Sequence, residues 1–358
     1  MRTIQLIDTL TAGGAERMAV NYANALNTRI DFSGVVCTRQ EGPLLEQIES
    51  KTAYFFLNKK RTLDFKAIRS LHKYVSLHKI EIIHAHSTSF FLAFMLKVLR
   101  PSLQLIWHDH YGDSEFLHVR PTLALRFTLP FFKGIICVNQ KLKTWAETKG
   151  FCKNIIYLEN FSITEKLVEN TSRLHGDPGK RIVSLANLRT QKNHFLLLDV
   201  AVLVKKSHPD WTFHLVGKDF EDNYSNALKK DIITLDLEQT VFIYGTRGDV
   251  SNILQQATIG ILTSSSEGLP LALLEYGNAC LAVVVTNVGE NSVVIHDAKN
   301  GYLAAQKSEL FYEKLLVLMV DEVKRVTFGA KLKETVFANF SEVNVVSRYL
   351  SWLEKLNK

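Results

Sequence analysis

The stretch TSSSEGLPLALLEYGNA, Thr263–Ala279, decides how this chain is read. The apolar run TIGIL at 258–262 leads into a polar turn, and a segment with helical spacing follows Pro270. Strand, turn and helix in that order form the carboxyl edge of a parallel α/β unit. There the free amides of a helix N-terminus favour an anion. Yet Glu267 and Glu275, eight positions apart, bracket this helix start. Pro270 suits the first helical position, so the amides of Gly268 and Leu269 would face the anion. Glu267 repels a phosphate but can accept from hydroxyls beside it or face a cationic centre, and Glu275 can accept from a vicinal diol such as a ribose. Phosphates flanked by two hydroxylated rings describe a nucleotide-sugar. The plainer alternative is a capping glutamate with an unrelated exposed one.

Outward from this stretch the same alternation recurs. TIQLID, FSGVVC, TAYFFL, IEIIHA, LQLIWH, KGIICVN and NIIYLEN read as strands of a first half. Helical spacing lies between several of them, at 16–26, 65–78, 90–99 and 140–149. Such alternation predicts βαβ crossovers and a parallel sheet. The polar run TEKLVENTSRLHGDPGK reads as a linker. After it RIVSLAN, WTFHLVG, TVFIYG, TIGILTS and LAVVVTNVG restart the pattern. The expectation is two Rossmann-like α/β domains, 1–165 and 178–340, with their ligand-binding strand ends facing a central cleft. A terminal helix, 341–358, is expected to pack back toward the first domain.

The 358 residues suit two domains, and 46% hydrophobic with 22% charged residues can build ordinary cores. Four scattered cysteines without a CxxC pair argue against a zinc site or a disulfide framework. With a start, MRTIQLIDTL, that lacks the apolar core of a signal peptide, they suit a cytoplasmic protein, one that could work at the inner face of the cell membrane. The longest apolar stretch, FFLAFMLKVL from Phe90, is too short to span a bilayer. The net charge of +7 is lopsided: residues 1–170 hold 22 Lys and Arg against 15 Asp and Glu, leaving 21 of each for the rest. A basic half suggests an anionic partner, or is a chance bias of a solvated surface. Without interleaved aromatics in a recognisable motif, nucleic acid is not the partner expected. The aromatic-aliphatic stretch 90–99 suits docking on an anionic bilayer, or is a buried helix.

Three further stretches could carry chemistry. LTAGGAERM places Gly13 and Gly14 between a strand and a helix, where amides can approach a ligand, or where the chain simply turns. SLANLRTQKNHF places Arg189 and Lys192 after a strand; a guanidinium clamps phosphate oxygens in two-point fashion and an ammonium adds a point charge. LIWHDHYGD gathers His108, Asp109 and His110 at another strand end, with His84 and His86 at the end of IIHAHS. Adjacent residues rarely aim at one ion, so a histidine bonding a sugar hydroxyl or phosphate is more economical than a metal site.

Together these stretches resemble the GT-B glycosyltransferases, specifically the large retaining family 4, over most of the chain. The E-x7-E pattern in SSSEGLPLALLE is the most specific element; GGAER, WHDH, ANLRTQKN, TNVGEN and DAKNGYL support it. The resemblance implies a GT-B fold and sugar transfer from a nucleotide-diphosphate-sugar to a glycan or lipid-linked acceptor, in envelope, capsular or exopolysaccharide synthesis. Arg189 and Lys192 would bind the diphosphate with the backbone of Gly268 and Leu269, Glu275 the ribose, and Glu267 the transferred sugar. Gly13 and Gly14 would lie near the phosphates, and His108 or His110 would contact the sugar. The leaving phosphate would take the acceptor proton on the same face, with no cofactor and no obligatory metal. Where family members read glycine and arginine, this chain has Ala186 and Asn187, and Arg189 would stand in for the missing cation. A GT-B sugar-nucleotide epimerase and a catalytically idle nucleotide-sugar binder are the alternatives.

Overall fold

The computed structural model describes residues 1–11, 13–161, 163 and 171–356, which divide into two compact units. The linker reading falls partly on residues 164–170, outside the described residues.

Unit 1 comprises 1–163 and 342–358. Its chain runs β1 (Arg2–Thr9), α1 (Gly14–Leu26), β2 (Phe32–Gln40), β3 (Ala53–Phe56), α2 (Phe65–Leu77), β4 (Ile82–His86), α3 (Phe90–Leu99), β5 (Gln104–Asp109), α4 (Leu123–Thr128), β6 (Gly134–Cys137), α5 (Gln140–Lys149) and β7 (Ile155–Tyr157). The strands form one parallel sheet in the order β3-β2-β1-β4-β5-β6-β7. β4 is buried at every position. A parallel sheet covered on both faces requires this, which is why its strands read as continuous apolar runs. α2 opens on the Asp64 carboxylate, which accepts from the Ala67 amide at 3.0 Å, and α5 opens likewise on Asn139. The left-handed Gly150 (φ 64°) ends α5.

Unit 2, 164–341, continues with β8 (Arg181–Leu185), α6 (His194–Ser207), β9 (Thr212–Val216), α7 (Asn223–Thr234), β10 (Val241–Gly245), α8 (Val250–Gln256), β11 (Ile259–Leu262), α9 (Leu271–Asn278), β12 (Ala282–Thr286), α10 (Asn291–Val294), β13 (Tyr302–Ala304), α11 (Ser308–Val320) and α12 (Glu322–Phe340). Its parallel sheet has the order β10-β9-β8-β11-β12-β13. The three-residue β13 begins in the last two residues of the DAKNGYL stretch and was not read as a strand in the sequence.

The last helix, α13 (Glu342–Leu356), belongs to unit 1 and packs on α1. Its Val345, Val346, Tyr349 and Leu353 are buried, and the Tyr349 ring lies 5.1 Å from that of Tyr22. Arg348 pairs with Glu159 at 2.5 Å. α3 is the buried alternative on one side only: Leu92, Ala93 and Leu96 lie in the core while Val98 and Leu99 are exposed. No helix among the described residues is long and apolar enough to cross a membrane.

Candidate functional site

In unit 2 the chain leaves β8 toward β9 and β10 on one side, then returns to lay β11, β12 and β13 on the other. β8 and β11 are therefore neighbours whose following loops diverge. In open parallel sheets this switch point is where a crevice forms outside the strand ends. Both polar stretches singled out in the sequence sit there. The loop after β8 carries Arg189 and Lys192, and the loop after β11 carries Glu267.

Hydrogen bonds stitch the two loops together. The Ser265 amide donates to the Gln191 carbonyl at 2.8 Å, and the Thr263 hydroxyl donates to the Lys192 carbonyl at 3.1 Å. Lys192 Nζ lies 2.6 Å from Glu267 Oε1, which also accepts from the Ser264 hydroxyl at 2.6 Å. The Glu267 side chain is 6% exposed and that of Lys192 20%. The cationic centre that Glu267 faces is thus a lysine 75 positions away.

A third loop, after β12, closes the same edge. The Thr286 hydroxyl donates to the Ser264 carbonyl at 2.7 Å, and the Glu290 amide donates to the Gly268 carbonyl at 3.0 Å. Gly289 turns this loop at φ 54° and lies so close that a Cβ there would sit 2.2 Å from the Glu267 carbonyl oxygen. TNVGEN therefore braces the backbone of the Glu267 turn.

α9 begins at Leu271, with Pro270 as its N-cap in extended conformation (φ −72°, ψ 123°). This corrects the expectation that Pro270 is the first helical residue. Gly268 and Leu269 therefore precede the N-cap and stand outside the helix. The helix is pinned by Tyr276, whose hydroxyl accepts from the Leu185 amide at 2.7 Å and lies 3.2 Å from the Ile261 carbonyl. Gly260 leaves the space for that ring: a Cβ there would come within 2.8 Å of it. Glu275, the neighbour of this anchor, is half-buried one turn into the helix.

Arg189 is exposed, and its guanidinium carbon lies 4.5 Å above the Phe220 ring; Lys218 Nζ approaches the same ring at 5.0 Å. Lys218 and Phe220, in the loop after β9, were not singled out in the sequence. The cue was a basic-aromatic KDF directly after a strand. Asn187, at the position where the family resemblance implies a cation, accepts from the Lys218 amide at 2.7 Å. It fixes the loop and leaves the charge to its neighbours.

In unit 1, Gly13 is the extended N-cap of α1 (φ −159°), and a Cβ on it would meet the Glu16 carboxylate at 2.2 Å. The acid of GGAER thus folds over the helix start, where a negative charge is favourable. Ala12 lies outside the described residues.

The histidines form a buried column. His84 Nε2 lies 3.2 Å from His108 Nδ1, His86 Nδ1 lies 3.0 Å from His110 Nε2, and His86 Nε2 lies 2.8 Å from Gln5 Oε1. The Tyr22 ring meets those of His84 and His108 edge-on. His108 is fully buried, and of the pair only His110 is a partly exposed residue. Asp109 holds Arg120 through two bonds of 2.6 and 2.8 Å and is committed to structure. His84, His86 and His108 bring ring nitrogens within 4.8 Å of one another, yet both nitrogens of His86 are already hydrogen-bonded.

Burial holds His84, His86 and His108 neutral, well below the ordinary imidazole range, and pushes His110 down to about 3. His194 (about 4) and His214 (about 3) in unit 2 are depressed for the same reason. The unfolded chain takes up protons below about pH 6.5 while these folded rings do not. Stability is therefore complete above that value and lost as pH falls, by ~1.4 kcal/mol per pH unit for each such ring. The melting temperature should drop steeply from pH 7 to pH 5; a flat profile would contradict the neutral column.

Residues 165–335 match the family described as Glycosyl transferases group 1, and residues 12–161 match Glycosyltransferase Family 4. Among curated proteins, the UDP-Gal:alpha-D-GlcNAc-diphosphoundecaprenol alpha-1,3-galactosyltransferase of Escherichia coli is 23% identical over 96% of this chain and 94% of its own. Among solved structures, Staphylococcus aureus TarM in complex with Fondaparinux, alpha-GlcNAc-glycerol and UDP superimposes at a TM-score of 0.81, with 14% identity and all of both chains covered. Anabaena HepE in complex with UDP and glucose does so at 0.80, with 17% identity over 98% of this chain and 99% of that one.

Proposed function

Because the chain belongs to the GT-B glycosyl transferases group 1 and is a glycosyltransferase, we propose that it moves a hexose from a uridine-diphosphate-sugar to a hydroxyl of a lipid-linked envelope glycan, with retention at the anomeric carbon. The observation that carries the reading is the switch point at β8 and β11, where Lys192 and Glu267 pair across the two loops. UDP is bound by both structural neighbours described above, and a lipid-linked acceptor is named for the Escherichia coli relative.

In this reading the diphosphate lies against Lys192 and Arg189 with the backbone of Gly268 and Leu269, and Glu275 holds the ribose hydroxyls. Unit 1 receives the acceptor. Glu267 orients the Lys192 ammonium beside the transferred sugar. As the bond from the anomeric carbon to phosphate oxygen breaks, negative charge gathers on the diphosphate, and the fixed cations stabilise it. The acceptor oxygen bonds to the anomeric carbon from the same face, and its proton passes to the departing phosphate oxygen. The protein cations neutralise the leaving group, so this reading requires no metal and no cofactor.

A thermal-shift screen against UDP-, GDP-, ADP- and CMP-sugars tests the donor, since a ligand of the native state raises its melting point. UDP-hexoses should give the largest rise, and rapid epimer formation without acceptor would contradict transfer. Glu275→Ala should weaken UDP binding by ~10- to 100-fold, the scale of a lost hydrogen bond to a charged group, and leave inorganic pyrophosphate binding unchanged. Equal losses for both ligands would remove Glu275 from the ribose.

A further inference from the structure

We infer that residues 116–131, with the end of α3, form a docking surface for an anionic lipid bilayer. The sequence pointed to 90–99 for this role, but the inward side of α3 is core. The apolar surface lies one segment further on. Phe116, Val119, Leu123, Phe127 and Phe131 are 49–71% exposed. Isolated exposed apolar residues are ordinary; five large ones within sixteen positions are not.

α4 shows how the face is made. Leu125, Thr128 and Leu129 turn inward and are buried, while Leu123 and Phe127, four positions apart on the opposite side, face out. The patch continues onto α3, which packs against α4: the Phe131 ring lies 5.0 Å from that of Phe94, and Val98 and Leu99 are exposed at the helix end.

Charge selects the occupant. The chain carries no Asp or Glu from 82 to 108 or from 116 to 146, the two segments that supply this face. Arg126 is exposed between Leu123 and Phe127, and Lys97, Arg100 and Lys133 lie along the same two segments. Apolar side chains interspersed with Arg126, flanked in sequence by Lys97, Arg100 and Lys133 and with the adjoining carboxylate, Glu115, held by Lys141, match a bilayer bearing anionic headgroups, where aromatic and aliphatic groups enter the interface and basic groups meet phosphates. Two copies of so basic a face repel each other, which disfavours a second copy of this chain as the occupant.

The inference deepens the reading of a lipid-linked acceptor, but its test does not use sugar transfer, so the two can fail separately. The full chain is sedimented with phosphatidylcholine vesicles with and without phosphatidylglycerol. Wild type should bind the phosphatidylglycerol vesicles at least tenfold more tightly than pure phosphatidylcholine and release on added salt. Leu123→Asp with Phe127→Asp should lower that binding tenfold or more, with melting temperature and UDP binding unchanged. Arg126→Glu, which keeps the apolar residues, should lower it on phosphatidylglycerol alone. Wild type that stays in the supernatant, or a double variant that binds as well as wild type, would overturn the inference. So would a wild-type dimer that the double variant dissolves, which would assign the face to a second copy.

Discussion

Lys192→Ala is expected to reduce sugar transfer by ~10²- to 10³-fold, with most of the loss in kcat. The argument is electrostatic. Lys192 is the cation enclosed at the switch-point crevice, 2.6 Å from Glu267 and mostly shielded from water. A charge held in place before the reaction need not reorganise as the diphosphate departs, and its removal forfeits ~3 kcal/mol of transition-state stabilisation. Arg189, exposed on the Phe220 ring, cannot replace it from that position. The substitution also leaves the Glu267 carboxylate without its ammonium. Unpairing an ion pair this enclosed costs stability, so the melting temperature should fall as well. The two effects separate at Lys192→Arg, which keeps the charge for Glu267 but displaces it from the phosphate. That variant should recover the melting temperature and only a small part of kcat. Full recovery of both would make Lys192 a structural partner of Glu267 and nothing more.

Gly289→Ala should be nearly as severe for transfer although no catalytic group is touched. The new Cβ would lie 2.2 Å from the Glu267 carbonyl oxygen and 2.9 Å from that of Gly268. Both are backbone atoms, so relief requires the Glu267 turn or the loop after β12 to move. The left-handed conformation at φ 54° adds a penalty of about 1 kcal/mol for any residue with a Cβ. Overpacking of this kind costs roughly 1–3 kcal/mol. A displacement near 1 Å at the turn is enough to lower transfer ~10²-fold. Gly248→Ala, where a Cβ meets nothing within 4 Å, is the control and should leave both stability and transfer unchanged. Wild-type activity in Gly289→Ala would show that the third loop does not brace the site.

The parallel sheets were readable because strands buried on both faces must be continuously apolar, as in IIHA and AVVV. α4 and the turns around it escaped because short elements carry too few positions for a period to show. The E-x7-E segment marked the loop that follows β11 at the switch point of the second sheet. It could not show that Glu267 faces Lys192, because the pair forms only when β8 and β11 become neighbours across 75 positions. Lys218 and Phe220 were missed for the same reason: their link to Arg189 exists only through the pairing of β8 with β9. The histidine column was within reach. His84 and His86, two apart on one strand, face the same side, and β5 brings His108 opposite His86.

A structure of the protein crystallised with UDP tests the central claim most directly. The account predicts the diphosphate in the crevice at the ends of β8 and β11, contacting Lys192 and the amides before α9, with the ribose hydroxyls on Glu275. UDP bound elsewhere, or in that crevice with its phosphates turned away from Lys192, would contradict it.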